Sequence, residues 1–147
     1  MVSLDTNILI YAADRRAGPR HAAAHKLITA AIGTKAALTE QNLVEFLSVA
    51  TRKAQLSLAE ATTIIRGYLA NFPLLVPTAS VVGDVIALIT NHKLSVWDAR
   101  QLAVCAAHNC SYLMSEDLQD GANYGGVIVV DPFKSANAAI VRHAMTI

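Results

Sequence analysis

Four carboxylates occupy local settings able to aim an acidic side chain at one shared pocket: Asp5 in VSLDTNILIYA, Glu45 in NLVEFLSVA, Asp98 in SVWDARQLAVC and Asp117 in YLMSEDLQDG. The chain carries only 11 acidic residues in 147, so gathering four of them sets up a repulsion that a bound cation would offset. Hard Mg²⁺ or Mn²⁺ prefers carboxylate oxygen. The chemistry such a group suits is metal-dependent hydrolysis of a phosphodiester.

Each position also has a plainer reading. Asp5 follows an apolar run, Met1–Leu4, and precedes a helical stretch, where open α/β sheets bind ligands; an aspartate there also serves as an N-cap. Thr6 and Asn7 are ordinary first-turn residues that can equally orient a carboxylate. Glu45 shares one helical side with Gln41, Ser48 and Arg52, a polar stripe that faces either solvent or a cleft, and periodicity does not separate the two. Asp98 stands three residues after Ser95, a capping-box spacing, yet on the helix side that carries Leu102, Cys105 and Ala106. A carboxylate at the edge of a packed face needs a partner. Asp117 opens a turn-rich stretch, with Glu116 and Asp120 close enough in sequence to stand in for it.

The elements that must position these residues follow from pattern. Met1–Leu4, Lys35–Leu38, Tyr112–Ser115 and Val127–Val130 read as short strands, and Leu74–Val76 is a brief apolar run ahead of Pro77. Helices are predicted over Asn7–Ala13, His21–Ile32 (stopped by Gly33), Glu40–Lys53, Ser57 to about Asn71, Ser80–Asn91 and Ser95 to about His108. Leu43, Phe46, Leu47 and Ala50 give the third of these its apolar face, and Ser57 with Glu60 three residues on marks the start of the fourth. Alternation of short apolar strands with helices predicts an α/β fold with a mainly parallel sheet. The tail from Lys134 adds one more helix, with Ile140, Val141 and Ala144 on one side.

Length bounds the chain to one domain, residues 1–147, with 134–147 as a C-terminal extension. Hydrophobic residues make up 54% and charged residues 16% of the chain, a balance that predicts apolar surface left over for a partner or a second copy. Arg66 interrupts the most hydrophobic middle segment and the N-terminus lacks a basic start, so neither a membrane span nor a signal peptide is expected, and a cytoplasmic location is. A net charge of +1 makes no global case for nucleic acid. Its distribution is more specific: Arg15, Arg16, Arg20, His21, His25 and Lys26 fall within twelve residues, as a solvated face or a phosphate-binding patch. Cys105 and Cys110 flank His108 without a second Cys/His pair, which reads as two reduced thiols rather than a zinc site.

Taken in order, hydrophobic-LDTNILIYA, VEFL, SVWDARQLAVCAA, LMSEDLQDG and VIVVDPF resemble the PIN-domain nucleases, and in particular the VapC-like toxins of bacterial toxin–antitoxin pairs. The resemblance spans nearly the whole chain. It implies a three-layer α/β/α sandwich that binds Mg²⁺ or Mn²⁺ and hydrolyses RNA. On that likeness Asp5, Glu45, Asp98 and Asp117 form the acidic cluster, with Asp5, Asp98 and Asp117 as metal ligands. Thr6, Asn7 and Ser115 support it, and Asp120 is an extra acid. Arg15, Arg16, Arg20, Lys26 and Arg100 would position RNA phosphates. The same likeness implies a homodimer and a small cognate antitoxin.

Other readings make distinct demands. A phospho-aspartyl phosphatase wants a second Asp at position 7, which is Asn, and a receiver domain wants a Lys between Lys93 and Lys134, where there is none. A housekeeping PIN-type RNase would share the acids without an antitoxin. In a non-catalytic binding module the acids would only cap helices.

Overall fold

The computed structural model describes residues 1–54 and 56–146, so Ile147, the end of the predicted tail, lies outside the described residues. Among these residues six strands form the central sheet: β1 (Val2–Leu4), β2 (Ala36–Thr39), β3 (Leu74–Leu75), β4 (Tyr112–Met114), β5 (Asn123–Tyr124) and β6 (Val127–Val130). Their order across the sheet is β3-β2-β1-β4-β6-β5. Every pairing is parallel except that of β5 with β6. The sheet is therefore mostly parallel, as the alternation of strands and helices predicts. The two-residue β5 has no sequence signature and went unpredicted.

Among the described residues, seven α-helices flank it: α1 (Thr6–Ala13), α2 (Pro19–Ala31), α3 (Glu40–Arg52), α4 (Leu58–Asn71), α5 (Val81–His92), α6 (Val96–Ala107) and α7 (Ala138–Thr146). Strand side chains alternate between two cores. Val2, Leu4, Ala36, Leu38, Met114 and Val130 join Ile8, Ala24, Phe46, Tyr68 and Ala144 from α1, α2, α3, α4 and α7. On the opposite face Ala37, Leu113, Val127 and Val129 pack with Leu88 of α5 and Leu102 and Cys105 of α6. This is the three-layer α/β/α sandwich. The tail helix α7 packs on the first core through Ala144 and Met145.

Local chemistry sets the helix starts that matter for function. Thr39 and Asn42 form a reciprocal capping box that begins α3 directly after β2, and Ser57 with Glu60 does the same for α4. Ser95 caps α6 by accepting from the Asp98 backbone N–H at 3.1 Å. Helix α2 starts two residues earlier than predicted because Pro19 takes its first turn, where a missing N–H costs nothing. Cys105 and Cys110 are buried free thiols, and the His108 ring nitrogen Nε2 instead bonds the Val76 carbonyl at 2.8 Å. No described helix is long and apolar enough to cross a membrane.

Candidate active site

Strands β2 and β4 lie on opposite sides of β1, so the chain leaves the sheet in diverging directions around the C-terminal end of β1, where open α/β sheets form a crevice. Asp5 follows β1 directly, and its backbone N–H donates to the Met114 carbonyl at 2.9 Å, tying it to the end of β4. Ser115 and Asp117 follow β4, Glu45 projects from α3 and Asp98 from the first turn of α6. All four acids line one cleft of about 280 Å³, together with Thr6, Asn7, Gln41, Ser48, Arg52, Trp97 and Gln101. The polar stripe Gln41–Glu45–Ser48–Arg52 therefore faces the cleft rather than open solvent.

The cleft acids are held by neutral donors. The Ser115 hydroxyl donates to Asp5 Oδ2 at 2.6 Å and the Thr6 backbone N–H to Oδ1 at 2.7 Å. The Thr6 hydroxyl donates to Glu45 Oε2 at 2.7 Å, while Gln41 Nε2 donates to Oε1 at 2.9 Å. The Asn7 amide donates to Asp117 Oδ2, and the Ser95 hydroxyl to Asp98 Oδ2 at 2.7 Å. Asp5 is thus the N-cap of α1 as well as a cleft residue, while Asp98 stands in the first turn of α6, bonded to the Ser95 cap and lining the same cleft. Thr6 holds both Asp5 and Glu45, Asn7 holds Asp117 and Ser115 holds Asp5.

Burial pushes the Asp5 carboxyl up to about 6, with the charges of Asp117 and Glu45 adding to the rise and the Ser115 and Thr6 donors opposing it. A buried carboxylate beside like charges, without an ion-pair partner, is stabilised by any cation that enters. A second sign of a missing partner is Gln101, which is buried and whose Nε2 has no hydrogen-bond partner. Buried donors are seldom left unpaired, and this one would suit an anionic oxygen such as that of a phosphate. The donor set of the cleft thus fits a hard cation beside a phosphate. Among the described residues, however, no three Asp, Glu, His or Cys side chains stand close enough to share one ion. The three-carboxylate ligand set of Asp5, Asp98 and Asp117 is not assembled into a closed cage, since Asp98 turns back to Ser95 and Asp117 leans on Asn7. Mg²⁺ keeps several waters and takes one or two carboxylates directly, a demand that an open cleft meets.

The other predicted site residues lie elsewhere. Asp120 accepts from the Asp131 backbone N–H at 2.9 Å, from Lys134 Nζ at 3.0 Å and from the Asn137 amide at 2.9 Å, fastening the start of the tail. Its carboxyl lies below the usual range, chiefly through that backbone bond. None of the five cations expected to meet phosphate lines the cleft. Arg16 pairs with Asp14 at 2.9 Å and Arg20 with Glu116 at 2.7 Å, Arg20 also resting 4.3 Å from the Phe133 ring centroid. Arg100 bridges Glu40 at 2.8 Å and Gln41 at 2.9 Å, and Lys26 is exposed on α2. Arg15 and Arg16 line a wider groove of about 800 Å³ between the end of α1 and α4. The cation that does reach the cleft is Arg52, whose place on the Glu45 stripe was the available sequence signal.

The family model of the PIN domain matches residues 2–119, a span that contains all four acids. The chain belongs to the PIN domain family. Its structure is similar to that of a toxin–antitoxin complex from Klebsiella pneumoniae, with TM-score 0.65, 27% identity and coverage of 91% of this chain and 99% of that one. Mycobacterium tuberculosis VapC20, a sarcin-ricin loop cleaving toxin, matches with TM-score 0.65 at 16% identity over 80% of this chain and 92% of that one. Rickettsia felis VapBC2, bound to a promoter DNA fragment, matches with TM-score 0.64 at 17% identity over 88% and 97%. No curated protein sequence matches the chain.

Proposed function

We propose that this PIN domain is a metal-dependent endoribonuclease, and the toxin of a VapBC-type pair. The observation that carries the nuclease reading is the convergence of Asp5, Glu45, Asp98 and Asp117 on one cleft at the C-terminal end of β1, none of them neutralised by a cationic side chain among the described residues. Mg²⁺ or Mn²⁺ held there would supply Lewis-acid polarisation of the phosphate and make water more acidic. The chain's own residues do the rest. Ser115 and Thr6 fix both oxygens of Asp5, and Thr6 with Gln41 fixes both oxygens of Glu45, so neither carboxylate must reorient during the reaction. Asn7 steadies Asp117, leaving its second oxygen to take a proton from water or orient it. Gln101 Nε2 is a spare donor for a phosphate oxygen.

The toxin reading draws its support from the likeness to the Klebsiella toxin–antitoxin complex at nearly full coverage of both chains. It brings an RNA substrate, a cognate antitoxin, a homodimer and a cytoplasmic site of action. Cleavage of RNA by the wild-type protein with Mg²⁺ or Mn²⁺, abolished by EDTA and by Asp98→Asn, tests the chemistry. Growth arrest on expression, relieved by co-expressing the product of the neighbouring gene, tests the toxin role. Active protein that is harmless at high expression would identify a housekeeping RNase instead.

A further inference from the structure

Trp97 is the sole tryptophan of the chain, and 62% of its surface is exposed. Of the large hydrophobic side chains exposed among the described residues, it is the one that lines the acidic cleft. Val96 beside it, and Val82 and Ile86 on α5, are equally exposed but lie outside that lining. An indole is highly buried on average, and an exposed one at the mouth of a polar cleft offers its flat face to a planar ligand.

Its mounting is rigid. Trp97 lies in the first turn of α6, next to Asp98, and its backbone carbonyl accepts from Gln41 Nε2 at 3.1 Å. Gln41 is in turn gripped by Arg100 at 2.9 Å, so the indole's backbone is locked to α3. Arg52 lines the same cleft. Its guanidinium is oriented by Ser48, with Nε donating to the carbonyl at 3.0 Å and Nη2 to the hydroxyl at 2.9 Å. An indole and a guanidinium are the two planar surfaces on which unstacked bases lie.

We propose that Trp97 is the platform on which a nucleobase of a single-stranded RNA stacks, with Arg52 meeting the adjoining phosphate, so that the cleft selects an extended strand over a duplex. The inference rests on the nuclease reading and deepens it by naming the substrate's conformation. The cleft, at about 280 Å³, falls just below the roughly 300–1,000 Å³ of sites that enclose a drug-sized molecule. A base must leave its own stack and pair to lie flat on Trp97, which a splayed strand allows and a duplex opposes. Trp97 acts on binding and positioning; the reacting groups are the acids.

Because Trp97 is the chain's sole tryptophan, its emission reports the contact directly. The wild-type protein, with Ca²⁺ in place of Mg²⁺ to slow turnover, is titrated with a single-stranded RNA oligonucleotide and with the duplex of the same sequence. Binding is followed in parallel by anisotropy of a labelled RNA. The expected result is quenching of Trp97 by the single strand and little change with the duplex. Trp97→Ala should weaken single-strand binding by about 5- to 150-fold, the range set by stacking one base, and Trp97→Phe should restore most of it. In cleavage assays the loss should fall on KM more than on kcat. Unchanged thermal midpoints for both variants would confirm that the loss is not unfolding. If RNA binds by anisotropy while Trp97 emission and the affinity of Trp97→Ala stay the same, the stacking inference is overturned and the nuclease reading stands. The same holds if Trp97→Ala leaves RNA affinity intact but turns a sedimenting dimer into a monomer, which would assign the indole to a second copy. If wild-type protein neither binds nor cleaves RNA with any divalent cation, both fall together.

Discussion

Two groups of acids, adjacent in sequence and even within one hexapeptide, are treated differently by the fold. Asp14, Glu40, Glu116, Asp120 and Asp131 each reach a cationic side chain. Asp5, Glu45, Asp98 and Asp117 reach hydroxyls, amides and a backbone N–H. In SEDLQD, Glu116 and Asp120 are neutralised while Asp117 between them is not. An ion pair within the protein completes a charge; a neutral donor orients a carboxylate and leaves its charge available. The first group therefore fastens elements together, and the second keeps its charge available for the cation proposed above.

The largest effect should come from removing a charge of the second group and comparing it with one of the first. Asp98→Asn is expected to lower kcat/KM for RNA by about 10²- to 10⁴-fold, the scale of a positioned acid–base or ligand carboxylate. Asp120→Asn, which disturbs only the tail fastening, should leave kcat/KM of the folded protein within a few-fold. Equal losses in the two would erase the distinction between the groups.

Next in size is a pH effect on the metal-free protein. The Asp5 carboxyl stands at about 6 in the folded chain against 3.8 for an unperturbed aspartate, so the folded state binds this proton more tightly than the unfolded state does. The associated stability is present in full below about pH 4 and is lost as pH rises through about 6. The loss should amount to at most about 3 kcal/mol, from 1.36 kcal/mol per unit. Denaturant unfolding in EDTA at pH 5 and pH 8 should show this slope for the wild type, and Asp5→Asn should flatten it. Saturating Mg²⁺ or Mn²⁺ should restore the wild type at pH 8 and leave the variant unmoved. A wild type indifferent to metal would sink the idea that these charges await a cation.

These contrasts also explain what could be read from the chain alone. Asp5, Asp98 and Asp117 were legible because strand ends and helix starts are local features, and α/β topology brings such ends together. Thr6, Asn7 and Ser115 were legible through the same segments. Glu45 was ambiguous because a 3.6-residue period reveals a polar stripe but not what faces it. The facing wall, Trp97 and Asp98, lies about fifty residues further on, and strand order had to place it there. The partners of the basic segment were illegible for a similar reason. Arg16 finds Asp14 two residues away, but Arg20 finds Glu116 across 96 positions, a pairing that no local pattern announces. Long, flexible cations carry little positional information in sequence, whereas a short aspartate beside a strand end carries a great deal. The two-residue β5 lies below the length at which alternation is detectable.

A smaller and opposite effect is expected at Gln101. Its unpaired Nε2 is a cost to the folded state that a ligand would remove. Gln101→Met, similar in length and free of the orphaned donor, should raise stability by about 1 kcal/mol while weakening RNA affinity. Chemical denaturation and anisotropy read the two changes independently. A variant that is more stable and binds RNA as tightly would make Gln101 a packing residue only.

The smallest effect sharpens the comparison from its other side. The Lys134 side chain is 53% exposed and pairs with Asp120 at 3.0 Å, so its attraction is weakened by solvent and salt. Lys134→Ala should cost under about 1 kcal/mol, as exposed pairs do, and the cost should shrink further as ionic strength rises. Asp120 keeps its bonds from the Asp131 N–H and the Asn137 amide, which hold the tail without the lysine. RNA cleavage should be unchanged, because Lys134 and Asp120 both lie outside the lining of the acidic cleft. A clear drop in cleavage would mean that the fastening at Asp120 is felt at Asp117 three residues upstream, and the two groups of acids would have to be treated as one coupled network.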